Sequence, residues 1–127
     1  MGGSMPDKDE TDFQFLAENS ADIICRAGMD RIIRYISPSS FHLLGWKPEE
    51  RIGRMVDDLI LPEDYPVFAA AYARLLVPGT QTVSSTLRMR KKDGSIVWTE
   101  ANTRLIRDPA TGDPKEAVVV MRDISER

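Results

Sequence analysis

The first switch from polar to apolar patterning falls at Asp12, after which Phe13, Leu16 and Ala17 recur at i, i+3 and i+4. That spacing predicts a short amphipathic helix over 12–20 with Asp12 as its N-cap, too short to stand alone and so bound to dock on the domain or on a partner. Two β-rich runs follow at 23–26 and 31–36, joined by Gly28, Met29 and Asp30 as a hairpin. The period then changes. Ser37 caps a helix with Pro38 in its first turn, Phe41 and Leu44 on its apolar side and Gly45 as its stop; Pro48, Glu49, Glu50 and Gly53 repeat the device. Leu61-Pro62-Glu63-Asp64 opens the longest helix, where Phe68, Ala71, Tyr72, Leu75 and Leu76 share one stripe until Pro78-Gly79. From there the period drops to two: Val83, Ser85, Leu87 and Met89 face one side, Thr82, Ser84, Thr86, Arg88 and Arg90 the other. Asp93-Gly94 turns the chain into a strand at 96–107 with Val97, Thr99, Ala101, Thr103 and Leu105 on one face, and a polar turn at 108–114 leads to a last strand at 117–124. The element order ββαααβββ predicts an α+β domain built on a five-stranded antiparallel sheet, with helices over one face.

Composition narrows the function classes. At 127 residues with 17 basic and 20 acidic side chains, net charge −3, the chain suits one domain and carries no basic footprint for nucleic acid. Met1-Gly2-Gly3-Ser4 ahead of Met5 reads as a cloning remnant, so 1–11 divides into that remnant and a disordered N-terminus, 12–20 into the amphipathic helix, and 21–127 into the domain. The longest apolar run, 67–73, falls far short of the roughly 20 residues a membrane span needs, so no direct membrane contact is expected. A single cysteine, Cys25, permits a reducing compartment, and a cytoplasmic location is the expectation.

Candidate chemistry is sparse. No cluster of His, Cys and carboxylate has metal-ligand spacing, and neither a glycine-rich phosphate loop nor a Gly-x-Ser-x-Gly elbow occurs. The acidic pairs Glu49-Glu50, Asp57-Asp58 and Glu63-Asp64 sit at helix starts, where the helix dipole accounts for them. His42 is a partly exposed helix residue by its position, and Cys25 a small buried hydrophobe in an apolar strand. No catalytic residue, no metal and no enzymatic activity within this segment are therefore expected.

Three strings then carry a resemblance to the PAS domain family over roughly 13–127. The segment Ser37-Pro38-Ser39-Ser40-Phe41-His42-Leu43-Leu44-Gly45-Trp46 resembles its short-helix segment, Arg90-Lys91-Lys92-Asp93-Gly94-Ser95-Ile96-Val97-Trp98 its hairpin, and Met121-Arg122-Asp123-Ile124-Ser125-Glu126-Arg127 its closing motif, with Ser125 for the usual Thr. Leu61 stands where many members carry His. The resemblance implies the PAS fold and a sensory role that relays a signal to a C-terminal effector domain, usually a histidine kinase, a cyclic dinucleotide enzyme or a transcription regulator. Photosensory members hold a flavin-adduct cysteine where this chain has Val56, in Gly53-Arg54-Met55-Val56, and amide side chains where it has Met89, Thr99 and Met121. Haem-binding members use a histidine on the long helix, which this chain lacks. Neither flavin nor haem is expected; an unknown small metabolite is the ligand left open.

The periodicities place Ile33, Tyr35, Leu44, Met55, Leu59, Phe68, Tyr72, Leu87, Met89, Thr99, Ala101, Thr103, Val119 and Met121 on an inner surface, either a filled core or a modest pocket with Tyr35, Tyr72 and the hydroxyls as polar handles. The family motif assigns Asp123 to signal relay, paired with a nearby basic residue. Phe13, Leu16 and Trp98 are the candidates for a homodimer interface. A ligand-free dimerisation scaffold is the alternative to sensing.

Overall fold

The computed structural model describes residues 21–125, so the 12–20 helix, with Phe13 and Leu16, lies outside the described residues. Five strands, β1 (Ile23–Gly28), β2 (Ile33–Ile36), β3 (Thr82–Arg90), β4 (Ile96–Arg107) and β5 (Pro114–Asp123), form one antiparallel sheet in the order β2-β1-β5-β4-β3. Between β2 and β3 run α1 (Ser39–Leu44), α2 (Pro48–Arg51), two 3₁₀ turns at Val56–Leu59 and Pro62–Asp64, and α3 (Tyr65–Leu75). The predicted order of elements is the observed one.

Strand alternation sorts the sheet into a core face and an outer face. Ile23, Cys25 and Ala27 of β1, Leu87 and Met89 of β3, Val97 and Ala101 of β4, and Val119 and Met121 of β5 join Ile33, Ile36, Leu44, Val56, Leu59 and Ile60 in one apolar cluster. Gly45 ends α1 at φ +80°, the left-handed conformation that glycine adopts without steric cost, and its N–H donates to the Phe41 carbonyl at 2.9 Å.

Two local expectations are corrected. Ser37 does not cap α1; Pro38 holds that position with no side-chain cap. The Ser37 hydroxyl is buried and instead accepts the Ile24 N–H at 2.9 Å and bonds the Ser39 hydroxyl at 2.8 Å, tying the helix start to β1. Tyr35 is not on the core face. Arg26 faces Tyr35 but Ala27 faces Ile33, so Arg34 is an extra, bulged residue in β2. The bulge returns Ile33 to the core and leaves Tyr35 packed with Ile24 and Val118 on the outer face.

The acidic pairs have partners beyond the helix ends. Glu50 pairs with Lys92 (2.6 Å), Asp57 with Arg31 (2.9 Å) and Asp64 with Arg88 (2.7 Å), each bond linking the helical crossover to the strand region.

Candidate functional site

Where α3 lies over β3 and β4, the core is incompletely filled. The sheet offers Ser85, Thr99, Ala101 and Thr103 there, small residues at alternating positions, so the larger side chains of α3 cannot close all the space above them. A cavity of about 20 Å³ remains. A water requires roughly 10–15 Å³ on the same measure, so this is space for a single small molecule or an alkyl tip.

Of the residues placed on the inner surface by periodicity, Phe68, Tyr72, Leu87, Met89, Thr99, Ala101, Thr103, Val119 and Met121 line this cavity. Ile33, Leu44 and Leu59 are in the main core away from it, Met55 is half-buried and bridges Ile32, and Tyr35 is on the other side of the sheet. The wall also includes Val56, Ile60, Ala71, Leu75 and Ser85. Ala71 and Leu75 share the α3 stripe with Phe68 and Tyr72, so helical spacing could have found them. Val56 opens a 3₁₀ turn and Ile60 closes it, where neither period applies.

The lining is almost wholly apolar. The Thr99 hydroxyl is completely buried and donates to the Leu87 carbonyl at 3.0 Å, so it serves the β3–β4 ladder. Phe68 and Tyr72 stand edge to face with ring centroids 5.2 Å apart. Burial pushes the Tyr72 phenol above its ordinary pKa, against the opposing pull of the nearby Arg31 charge. Beside it Arg31 Nε donates to Asp57, and the Tyr65 hydroxyl donates to the Asp57 carbonyl at 3.3 Å.

These side chains do not fit a flavin that forms a thiol adduct. Val56 on the cavity wall has no sulfur, and Cys25, on β1 outside the lining, is buried with its thiol pushed up to about 12 by desolvation. Met89 and Met121 offer no amide to a ring. Nor does the cavity offer a histidine as axial ligand to haem, because His42 is on the exposed side of α1 against Phe41. Among the described residues no group of three His, Cys, Asp or Glu is placed to hold a metal, and no helix is long and apolar enough to cross a membrane.

Beside the cavity a series of contacts runs from the start of α3 across β3 and β4 to the end of β5. Asp64, immediately before α3, accepts the Arg88 N–H at 2.7 Å and both its Nε and Nη2 at 3.1 and 2.7 Å. Bonding to Arg88 holds the Asp64 carboxyl below its ordinary pKa. The Arg88 guanidinium lies 5.1 Å from the Trp98 ring, and the Trp98 carbonyl accepts the Ile124 N–H at 3.1 Å. Asp123, next in the chain, accepts the Ser125 N–H at 2.8 Å and the Ser125 hydroxyl. The expected basic partner of Asp123 is therefore replaced by a local turn, in which Ser125 lowers the carboxyl pKa and Lys91 adds only a minor electrostatic pull. Trp98 is exposed on the outer face.

Comparison with known proteins agrees with this architecture. Over 67 residues the chain is 42% identical to the White collar 2 protein of Neurospora crassa, a match covering 53% of this chain and 12% of that protein. A PAS domain from Colwellia psychrerythraea superposes with TM-score 0.83 at 23% identity, over 94% of this chain and 100% of that one. The wild-type Cycle PAS-B domain of Drosophila melanogaster with bound ethylene glycol gives TM-score 0.71 at 19% identity, over 80% and 99%. The chain spans only 10–15% of the length of the curated relatives it matches. The family model for the PAS fold matches residues 33–121, well over half the chain, and with the sheet order and helical crossover it identifies the chain as a PAS domain.

Proposed function

We propose that this PAS domain senses a small uncharged molecule in the cavity under α3 and relays its presence to an effector domain in the same polypeptide. A sensor histidine kinase is the effector class the family resemblance favours. The observation that carries the proposal is the contrast within one core between completely buried large side chains and a wall of Ser85, Thr99, Ala101 and Thr103 facing a cavity of about 20 Å³. A molecule the size of a short alcohol or diol fits this space with a modest outward shift of α3, and the ethylene glycol bound to the Cycle domain is of that size class. The domain itself is non-catalytic and acts as a homodimer without flavin or haem, and it binds neither nucleic acid nor membrane. Its parent works in the cytoplasm.

Titration of the isotopically labelled chain with ethanol and ethylene glycol tests the sensing role. Saturable shifts of the Thr99, Ala101 and Thr103 amide and methyl resonances support it; shifts that stay linear and spread evenly over the molecule refute it. A visible absorption band in the purified protein, at flavin or haem wavelengths, would overturn the cofactor part. The scaffold reading draws on the same small cavity, and predicts that no titrant saturates.

A further inference from the structure

The sheet has two edges of different character. β2, at one edge, is four residues long and carries Arg34; β3, at the other, is nine residues long. Near the β3–β4 hairpin the β3 edge is closed: Asp64 takes the Arg88 N–H, the Leu61 N–H donates to the Arg88 carbonyl at 3.0 Å, and Ile60 bridges Met89. Those bonds fix the parity of the strand. Arg88 turns its N–H and C=O away from β4, and by the two-residue period so do Thr86, Ser84 and Thr82. These three are exposed, and among the described residues one bond reaches their outward groups, a 3.3 Å contact from Arg74 Nη2 to the Ser84 carbonyl. From Gly79 to Leu87 there is no charge and no proline, the devices that ordinarily keep a long edge from pairing.

We propose that the Thr82 to Thr86 stretch of β3 pairs antiparallel with the same stretch of a second copy, about a two-fold axis at Ser84, joining two five-stranded sheets. The inference rests on the homodimer reading above and gives it a surface. The closed half of the edge sets the register. Pairing that reached Arg88 would have to displace Leu61 and Asp64, so three residues remain with outward groups, and a two-fold axis through them sets Ser84 against Ser84 and Thr82 against Thr86. A second copy matches this stretch in length, register and charge at once, because the outward pairs Ser84–Ser84 and Thr82–Thr86 are neutral hydroxyls, the intervening Val83–Ser85 pair is uncharged, and no like charges meet. Arg74 guards it, and must release the Ser84 carbonyl for the pairing to form.

The test is Ser84→Cys in the full 127-residue chain. Residues opposed in a hydrogen-bonded antiparallel pair have Cα atoms about 5.5 Å apart, within disulfide range. The native Cys25 is completely buried and does not compete. Mild oxidation should give a covalent dimer. In sedimentation, Ser84→Lys should weaken self-association about tenfold or more by opposing two introduced charges, while Arg74→Ala should strengthen it a few-fold by freeing the carbonyl. Both positions are exposed, so circular dichroism should be unchanged. A chain that still sediments as a dimer, yet gives no covalent product with Ser84→Cys and ignores Ser84→Lys, overturns the edge and leaves the homodimer reading intact. A chain that is monomeric at every concentration overturns both.

Discussion

The two halves of the core are built to different standards. Under α1, the β1–β2 half holds Ile23, Cys25, Ala27, Ile33, Ile36, Leu44 and Leu59, each exposed by 1% or less, and none of them lines the cavity under α3. Under α3, the β3–β4–β5 half alternates large residues with Ser85, Thr99, Ala101 and Thr103 and keeps open space. Filled space resists displacement, because each atom that moves loses contacts it cannot regain nearby. Space left open beside a helix can be occupied or vacated with small movements. The first half therefore anchors the fold, and the second is the part able to respond to an occupant.

Leu44→Ala gives the largest expected break in this comparison. Leu44 is completely buried in the filled half, so truncation should cost about 2–5 kcal/mol and be visible as a large fall in the urea midpoint. A loss well below that range would show that the filled half relaxes as readily as the open one.

A matched pair of enlargements comes next. Ala27 and Ala101 both point into the core from strands, but only Ala101 lines the cavity. Ala27→Val should cost roughly 1–3 kcal/mol by overpacking, whereas Ala101→Val should stay within about 1 kcal/mol of the parent chain because the added methyls have space to enter. The same Ala101→Val should abolish saturable binding of ethylene glycol. Equal costs at the two sites would erase the distinction between the halves.

Much of this contrast was legible in the sequence, because the open half is made of regular elements. Period two in β3, β4 and β5 and the helical stripe through Phe68 and Tyr72 name nine of the cavity's lining residues without a structure. Misplacements cluster where periodicity breaks. Strict alternation carries Ile33 and Tyr35 together to the core face, and one bulged residue, Arg34, reverses that for Tyr35. Val56 and Ile60, the first residue and the C-cap of a 3₁₀ turn, obey neither period, and Ser before Pro is a common helix start, although the Ser37 hydroxyl is taken up by the Ile24 N–H thirteen residues back. Long-range pairings such as Asp64 with Arg88 carry no local signature at all.

That pairing supplies the third prediction. The Asp64 carboxylate titrates below its ordinary value because Arg88 donates to its charged form, so its contribution to stability is full above the unfolded carboxylate pKa of about 3.9 and is lost as pH falls through the depressed folded value. Asp64→Asn should cost about 1 kcal/mol near neutrality, a figure reduced by solvent reaching the guanidinium, and should flatten the decline of stability below about pH 4. An unaltered acid limb would mean that the bond does not couple α3 to β3 in solution.

Asp123 should matter least to the fold and most to output. Its carboxylate is exposed and spends its bonds on Ser125, two residues on, so no packing depends on it. Asp123→Ala should therefore change stability by no more than about 0.5 kcal/mol, with circular dichroism unaltered. Yet the turn it closes sets the direction in which the chain leaves the sheet, one residue before the Ile124 N–H that bonds the Trp98 carbonyl and so joins the path from Asp64 and Arg88. If output depends on that direction, a change of about 1.4 kcal/mol in the balance between two states shifts it tenfold. In the full-length parent, Asp123→Ala should alter basal or ligand-dependent effector activity by about that factor, and Ser125→Ala, which removes one of the two donors to the same carboxylate, by less. Outright unfolding of the Asp123→Ala domain would make the residue a structural cap first. Unchanged output from the parent would remove it from the relay and leave Arg88 and Trp98 to carry the signal along the outer face.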